Sequence, residues 1–250
     1  GQGFVGKLAF PSANVSDRLE KTFTSVNFNM MIMIIYALIT IAIFGMWYYA
    51  RYEGNFLPSP KKTFNLMMIV AIVILVPGTQ FAANFIANLT GYIRPDWLQQ
   101  YNELFETSGI TDTTFVTVLY SVILAPICEE LIFRGVTMRC ARKALPFALA
   151  NLMQAALFGL FHLNWIQGIY AFALGIVLGY VCERGGSIYY SMGLHLLFNL
   201  WGTLSGFFPD PGNSVVVLVV VIVVTIVSLV AGFVLFNKGR RKLPINSTGI

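Results

Sequence analysis

Residues 214–236 read SVVVLVVVIVVTIVSLVAGFVLF, an apolar run with no charged residue and no proline. In a soluble protein so much Val and Ile would suggest a buried strand, because β-branched side chains suit a pleated surface. Strands are usually 3–10 residues long, and nothing here would turn the chain back. About 20 consecutive apolar residues are what an α-helix needs to cross a bilayer. The run therefore reads as a lipid-facing helix, and it sets the terms for the rest of the chain.

The composition agrees. The 250 residues are 57% hydrophobic and 11% charged, with a mean hydropathy of +0.73. A soluble domain carries about 25% charged residues. Further segments of spanning length cover approximately residues 28–50, 63–88, 114–139, 146–163, 166–182 and 187–206. The expected architecture is an all-α polytopic membrane helical bundle of about seven to eight transmembrane helices, forming a single domain over residues 1–250. Pro77-Gly78 is expected to break the second segment, and Pro126 to kink the third. Ala171, Gly175 and Gly179 form a small-residue stripe suited to close helix packing. Cys128, Cys140 and Cys182 form no C-x-x-C pair and read as small packing residues.

Net charge is +5, and its distribution matters more than its sum. Arg51, Lys61, Lys62, Arg139, Arg142, Lys143, Arg184, Lys238, Arg240, Arg241 and Lys242 fall on one side of the bundle. The positive-inside rule makes that side cytosolic and puts the C-terminus there. Arg94, Asp96, Glu103, Glu106 and Asp112 lie in the opposite loop. This pattern reads as membrane orientation and not as nucleic-acid affinity. Lys7, Arg18 and Lys21 sit on the wrong side for a seven-span chain, so residues 1–26 are a candidate interfacial or additional helix.

Ionisable groups inside spans cost roughly 2.5–3.5 kcal/mol each on insertion scales and mark functional sites. The sequence Glu129-Glu130-Leu131-Ile132-Phe133-Arg134 is such a case. Glu130 and Arg134 are four apart, so they share a face and can pair. Glu129 is turned about 100° away and is free to point elsewhere. The chain's only two histidines lie in similar settings, His162 after Phe158 and His195 before Asn199. Phe158 shares a face with His162 and would wall the imidazole. His195 and Asn199 share a face and could aim two donors at one oxyanion. At 1.5 Å rise per residue, Glu129, His162, His195 and Asn199 all fall about 12–24 Å above the cytosolic ends of their helices. Convergence is therefore allowed.

E-E-x-x-x-R, F-x-x-x-H and H-x-x-x-N, in that order on successive helices, resemble the CAAX protease and bacteriocin-processing family. That group contains the Abi proteins and the Rce1-type CAAX prenyl endopeptidases. Residues 175–187 resemble its linker into the last motif, and the family core would cover approximately residues 112–204. The resemblance implies an intramembrane peptidase open to the cytosol and acting on a lipidated or hydrophobic peptide or protein. Glu129 would be the general base and His162 would help to position and activate water. His195 and Asn199 would stabilise the oxyanion, with Glu130, Arg134 and Phe158 in support. No cofactor is required in this reading. Nothing in the chain suggests an organelle, so the expected location is a bacterial cell membrane.

Three rivals stand beside it. A zinc peptidase would use Glu129, His162 and His195 as ligands, although no H-E-x-x-H pair is present. A non-catalytic immunity or scaffold protein would use the same groups as a buried polar network. A proton-coupled transporter would use them as a relay, but no inverted-repeat halves are visible.

Overall fold

The computed structural model describes residues 26–53, 64–108, 114–205 and 214–240, and among these the chain is helical without strands. The order is α1 (Val26–Tyr48), α2 (Leu66–Ile93), α3 (Pro95–Ser108), α4 (Phe115–Arg142), α5 (Phe147–Phe161), α6 (Trp165–Gly185), α7 (Ile188–Ser205) and α8 (Val215–Arg240). Five of them (α1, α2, α4, α6 and α8) are long and apolar enough to cross a membrane. The remaining two expected spans are also helices, but shorter. At 1.5 Å per residue α5 reaches about 22 Å and α7 about 27 Å. The protein is a polytopic helical bundle. The expected extra helix over residues 1–26 falls almost wholly outside the described residues.

Helix α8 runs along α2. Most of α8 is exposed, as a lipid-facing helix would be. Its buried seam is Ser228, Gly232, Phe236 and Gly239. A Cβ on Gly232 would lie 2.6 Å from Leu75 of α2. The seam is made of small residues because the two backbones approach closely.

That seam also corrects the expected break at Pro77-Gly78, since α2 continues through it from Leu66 to Ile93. The N–H of Gly78 donates to Ser228 Oγ at 2.9 Å, and the same hydroxyl donates to the Ile74 carbonyl. Those backbone groups are four residues apart and would ordinarily bond to each other. A serine from another helix is thus inserted into the ladder next to the proline. Freed backbone groups in a membrane helix need such partners.

The expected kink at Pro126 takes a different form. Helix α4 has π-helical stretches at Leu119–Leu124 and Leu131–Met138, flanking an α-helical Ala125–Glu130. Proline lacks the N–H and crowds the carbonyl four residues back. A wider turn absorbs both defects. π-turns of this kind concentrate at functional sites.

The stripe on α6 packs on α5. A Cβ on Gly175 would lie 3.1 Å from Ala155 Cα, and one on Gly179 would overlap Asn151 Oδ1. Between these helices the chain reverses over His162, Leu163 and Asn164. Leu163 adopts φ 54°, and Asn164 Oδ1 accepts from Gln167 N–H at 3.1 Å to cap α6. Helix α3 covers this end through a Trp97–Trp165 stack at 5.3 Å. Arg94 lies over Trp97 and pairs with Asp96, whose carboxyl is held below its usual range by that hydrogen bond. At the other end of the bundle Asn65 joins α2, α7 and α8. Its side chain accepts from Met67 N–H and donates to the Gly239 carbonyl, and its own N–H donates to Tyr190 Oη. Of the cysteines, Cys128 and Cys182 are buried as expected, whereas Cys140 is exposed.

Candidate active site

Helices α4, α5, α6 and α7 bring the motif residues together. Glu130 and Arg134 are both fully buried and pair at 2.7 Å, Arg134 Nη1 donating to Glu130 Oε1. The guanidinium also donates through Nη2 to the Gly175 carbonyl at 3.3 Å and lies 4.5 Å from the centre of the Phe158 ring. Removing one partner of such a pair typically costs about 3–5 kcal/mol, because the other charge is left buried and uncompensated. The same Gly175 carbonyl accepts from Gln154 Nε2 at 2.9 Å. One carbonyl on α6 therefore anchors α4 and α5, close to the point where glycine lets α5 approach.

His195 is 97% buried and stands between the two carboxylates. Its Nδ1 is 3.0 Å from Glu130 Oε1, and its Nε2 is 3.6 Å from Glu129 Oε2. Glu129 is half-buried, whereas Glu130 has no exposure. The 100° separation between adjacent helix positions thus leads to opposite edges of one imidazole. Helical spacing alone paired Glu130 with Arg134; the contact with His195, 65 residues away, carried no local signal.

His162 ends α5. Its Nδ1 donates to the Phe158 carbonyl at 2.8 Å. Among the described residues it makes no ion pair with Glu129 or Glu130, and it joins the group through Phe158. That ring lies 4.9 Å from the His162 ring and 5.7 Å from the His195 ring, nearly perpendicular to both. Phe158 therefore walls both imidazoles. Phe133 closes the other side of Phe158 at 5.2 Å.

Asn199 departs from the expected pairing of donors. Its Nδ2 donates to the Ser121 carbonyl at 2.8 Å instead of aiming every donor to the point served by His195. A carboxamide carries two N–H groups, so one remains. Ser121 had no role in the sequence reading. Its signal is the proline five residues later, because Pro126 cannot supply the N–H that a π-turn would direct to Ser121.

Among the described residues no group of three or more His, Cys, Asp or Glu side chains could hold a metal ion. Glu129, His162 and His195, the alternative zinc ligands, do not form such a group.

Taken together, the arrangement holds a partly exposed carboxylate beside an imidazole, with a second imidazole behind an aromatic wall. It can accept a proton from water and pass it on. Residues 111–201, which run from just before α4 through most of α7, match the family described as Type II CAAX prenyl endopeptidase Rce1-like. No curated protein and no solved structure matches the chain. All three motifs lie inside the matched stretch, and over those residues the chain is similar to the Rce1-like type II CAAX prenyl endopeptidases.

Proposed function

We propose that this protein is an intramembrane endopeptidase that hydrolyses a peptide bond near the cytosolic face, in a lipidated or otherwise hydrophobic peptide or protein. The observation that carries the reading is Glu129, its side chain 15% exposed and 3.6 Å from Nε2 of an otherwise buried His195. Glu129 takes a proton from water, which His162 helps to position through its Nε2. The hydroxyl oxygen attacks the scissile carbonyl. Asn199, with its remaining N–H, and His195, once Nε2 is protonated, stabilise the oxyanion. Glu130 and Arg134 hold α4 in place, and Phe158 keeps the pocket apolar. A general base contributes typically 10²–10⁴-fold and oxyanion donors about 10²–10³-fold each. The proposed location is a bacterial cell membrane; the distribution of Lys and Arg supports a C-terminus in the cytosol.

The test has two arms. Purified protein in nanodiscs is assayed on an internally quenched farnesylated CaaX peptide and on its unprenylated form, with and without a strong chelator. Membrane proteomes of cells carrying wild-type or Glu129→Ala protein are compared in parallel. The expected result is a set of processed peptides lost in Glu129→Ala cells, and cleavage that survives chelation. Cleavage by purified Glu129→Ala protein at the wild-type rate would end the proposal.

A further inference from the structure

We propose that Glu130 is the positioning residue of His195, holding its imidazole through Nδ1–H so that Nε2 is presented to Glu129. The consequence for catalysis rests on the peptidase reading above; the geometry does not.

The argument starts from what each atom can do. Glu130 Oε1 accepts from Arg134 Nη1 at 2.7 Å, and both side chains are fully buried. A carboxylate paired with a guanidinium is ionised and can only accept. His195 Nδ1, 3.0 Å from the same oxygen, must therefore carry the hydrogen. In the neutral ring this leaves the lone pair on Nε2, which faces Glu129 Oε2 at 3.6 Å. His162 follows the same rule independently, because a carbonyl only accepts and its Nδ1 is 2.8 Å from Phe158 O. Both imidazoles are held by Nδ1, and both Nε2 atoms are left for the reaction.

The second glutamate thus does more than neutralise an arginine. A carboxylate behind an imidazole selects its tautomer, fixes its orientation and stabilises the cation that forms when the far nitrogen takes a proton. The proton balance is complete. Glu129 takes a proton from water as the new C–O bond forms. That proton passes to His195 Nε2, where it serves the oxyanion. It then leaves with the amine as the C–N bond breaks. Arg134 sets the charge of Glu130, and its bond to the Gly175 carbonyl fixes the pair to α6.

The test exploits the presence of only two histidines. Protein labelled with ring-¹⁵N histidine is studied by NMR in nanodiscs, with a His162→Gln sample used to assign the two rings. A Glu130→Leu/Arg134→Met double variant removes the ion pair without leaving a lone buried charge, a replacement that is often tolerated. Glu130→Gln keeps an acceptor oxygen. The expected wild-type result is a His195 ring protonated at Nδ1. The double variant should show mixed tautomers, with kcat on the farnesylated CaaX peptide lowered roughly 10²- to 10⁴-fold and KM little changed, as when an orienting carboxylate is lost. Glu130→Gln should fall between the two in tautomer population.

Two results would overturn the inference: a wild-type His195 protonated at Nε2 alone, or a folded double variant with an unchanged Nδ1–H tautomer. The NMR readings need no substrate. If Glu129→Ala still cleaves, the peptidase reading fails while the tautomer result stands. If Glu129→Ala is inactive but the double variant keeps its tautomer, only the present inference fails.

Discussion

Asn199 donates its side-chain N–H to the backbone carbonyl of Ser121 at 2.8 Å, joining α7 to the first π-turn of α4. The bond follows from backbone accounting. Ala125 N–H donates to Tyr120, five residues back, and bypasses Ser121. The next residue is Pro126, which has no N–H to offer. The Ser121 carbonyl is left over and is satisfied by a residue 78 positions later. In a membrane an orphaned backbone group costs several kcal/mol.

This accounting yields a double-mutant test. Asn199→Ala alone should destabilise the protein by about 1–3 kcal/mol through the uncapped carbonyl. Pro126→Ala restores an N–H next to that carbonyl. In the Pro126→Ala background the cost of Asn199→Ala should shrink by at least half. Thermal unfolding of the four proteins in one detergent measures the coupling. Strict additivity would show that Ser121 is satisfied in some other way.

The Ser228 hydroxyl gives a second prediction. It bridges Gly78 N–H and Ile74 O across the proline defect of α2. Ser228→Ala should cost about 1 kcal/mol, since it removes two buried hydrogen bonds that join α8 to α2. Ser228→Thr keeps the hydroxyl and should cost less. Hydrogen exchange at Gly78 reads the effect directly: its amide should lose protection in Ser228→Ala and keep most of it in Ser228→Thr.

Leu163 offers the opposite sign. It adopts φ 54° with 94% exposure, so it strains the backbone and contributes little packing. A left-handed conformation costs an ordinary L-residue roughly 1–2 kcal/mol, and glycine or asparagine tolerates it. Leu163→Gly and Leu163→Asn should each raise stability by up to about 1 kcal/mol. A lower unfolding temperature for both variants would argue against strain at this reversal.

Glycines at comparable helical positions should separate by what surrounds them. A Cβ on Gly179 would overlap Asn151 and lie 2.7 Å from Gln154 Nε2. Gly179→Ala should therefore destabilise by about 1–3 kcal/mol through overpacking. A Cβ on Gly193 would meet nothing within 4 Å. Gly193→Ala should stabilise α7 by roughly 0.5–1 kcal/mol, the ordinary gain of replacing glycine inside a helix. Chemical denaturation of the two variants side by side checks both signs.

The sequence by itself determined what depends on local periodicity. The length of apolar runs placed the helices, because a bilayer demands a minimum length and internally bonded backbone. The period of 3.6 residues put Glu130 with Arg134 and Phe158 with His162, pairs that need only one helix to meet. Tertiary structure alone decided how those pairs face one another. That His195 lies between Glu129 and Glu130, that Asn199 caps Ser121, and that Ser228 bridges Ile74 and Gly78 beside Pro77 all depend on residues far apart in the chain. The prolines at 77 and 126 were legible; that Asn199 answers the Ser121 carbonyl was not, because a missing N–H announces an unsatisfied carbonyl but not which distant side chain will answer it.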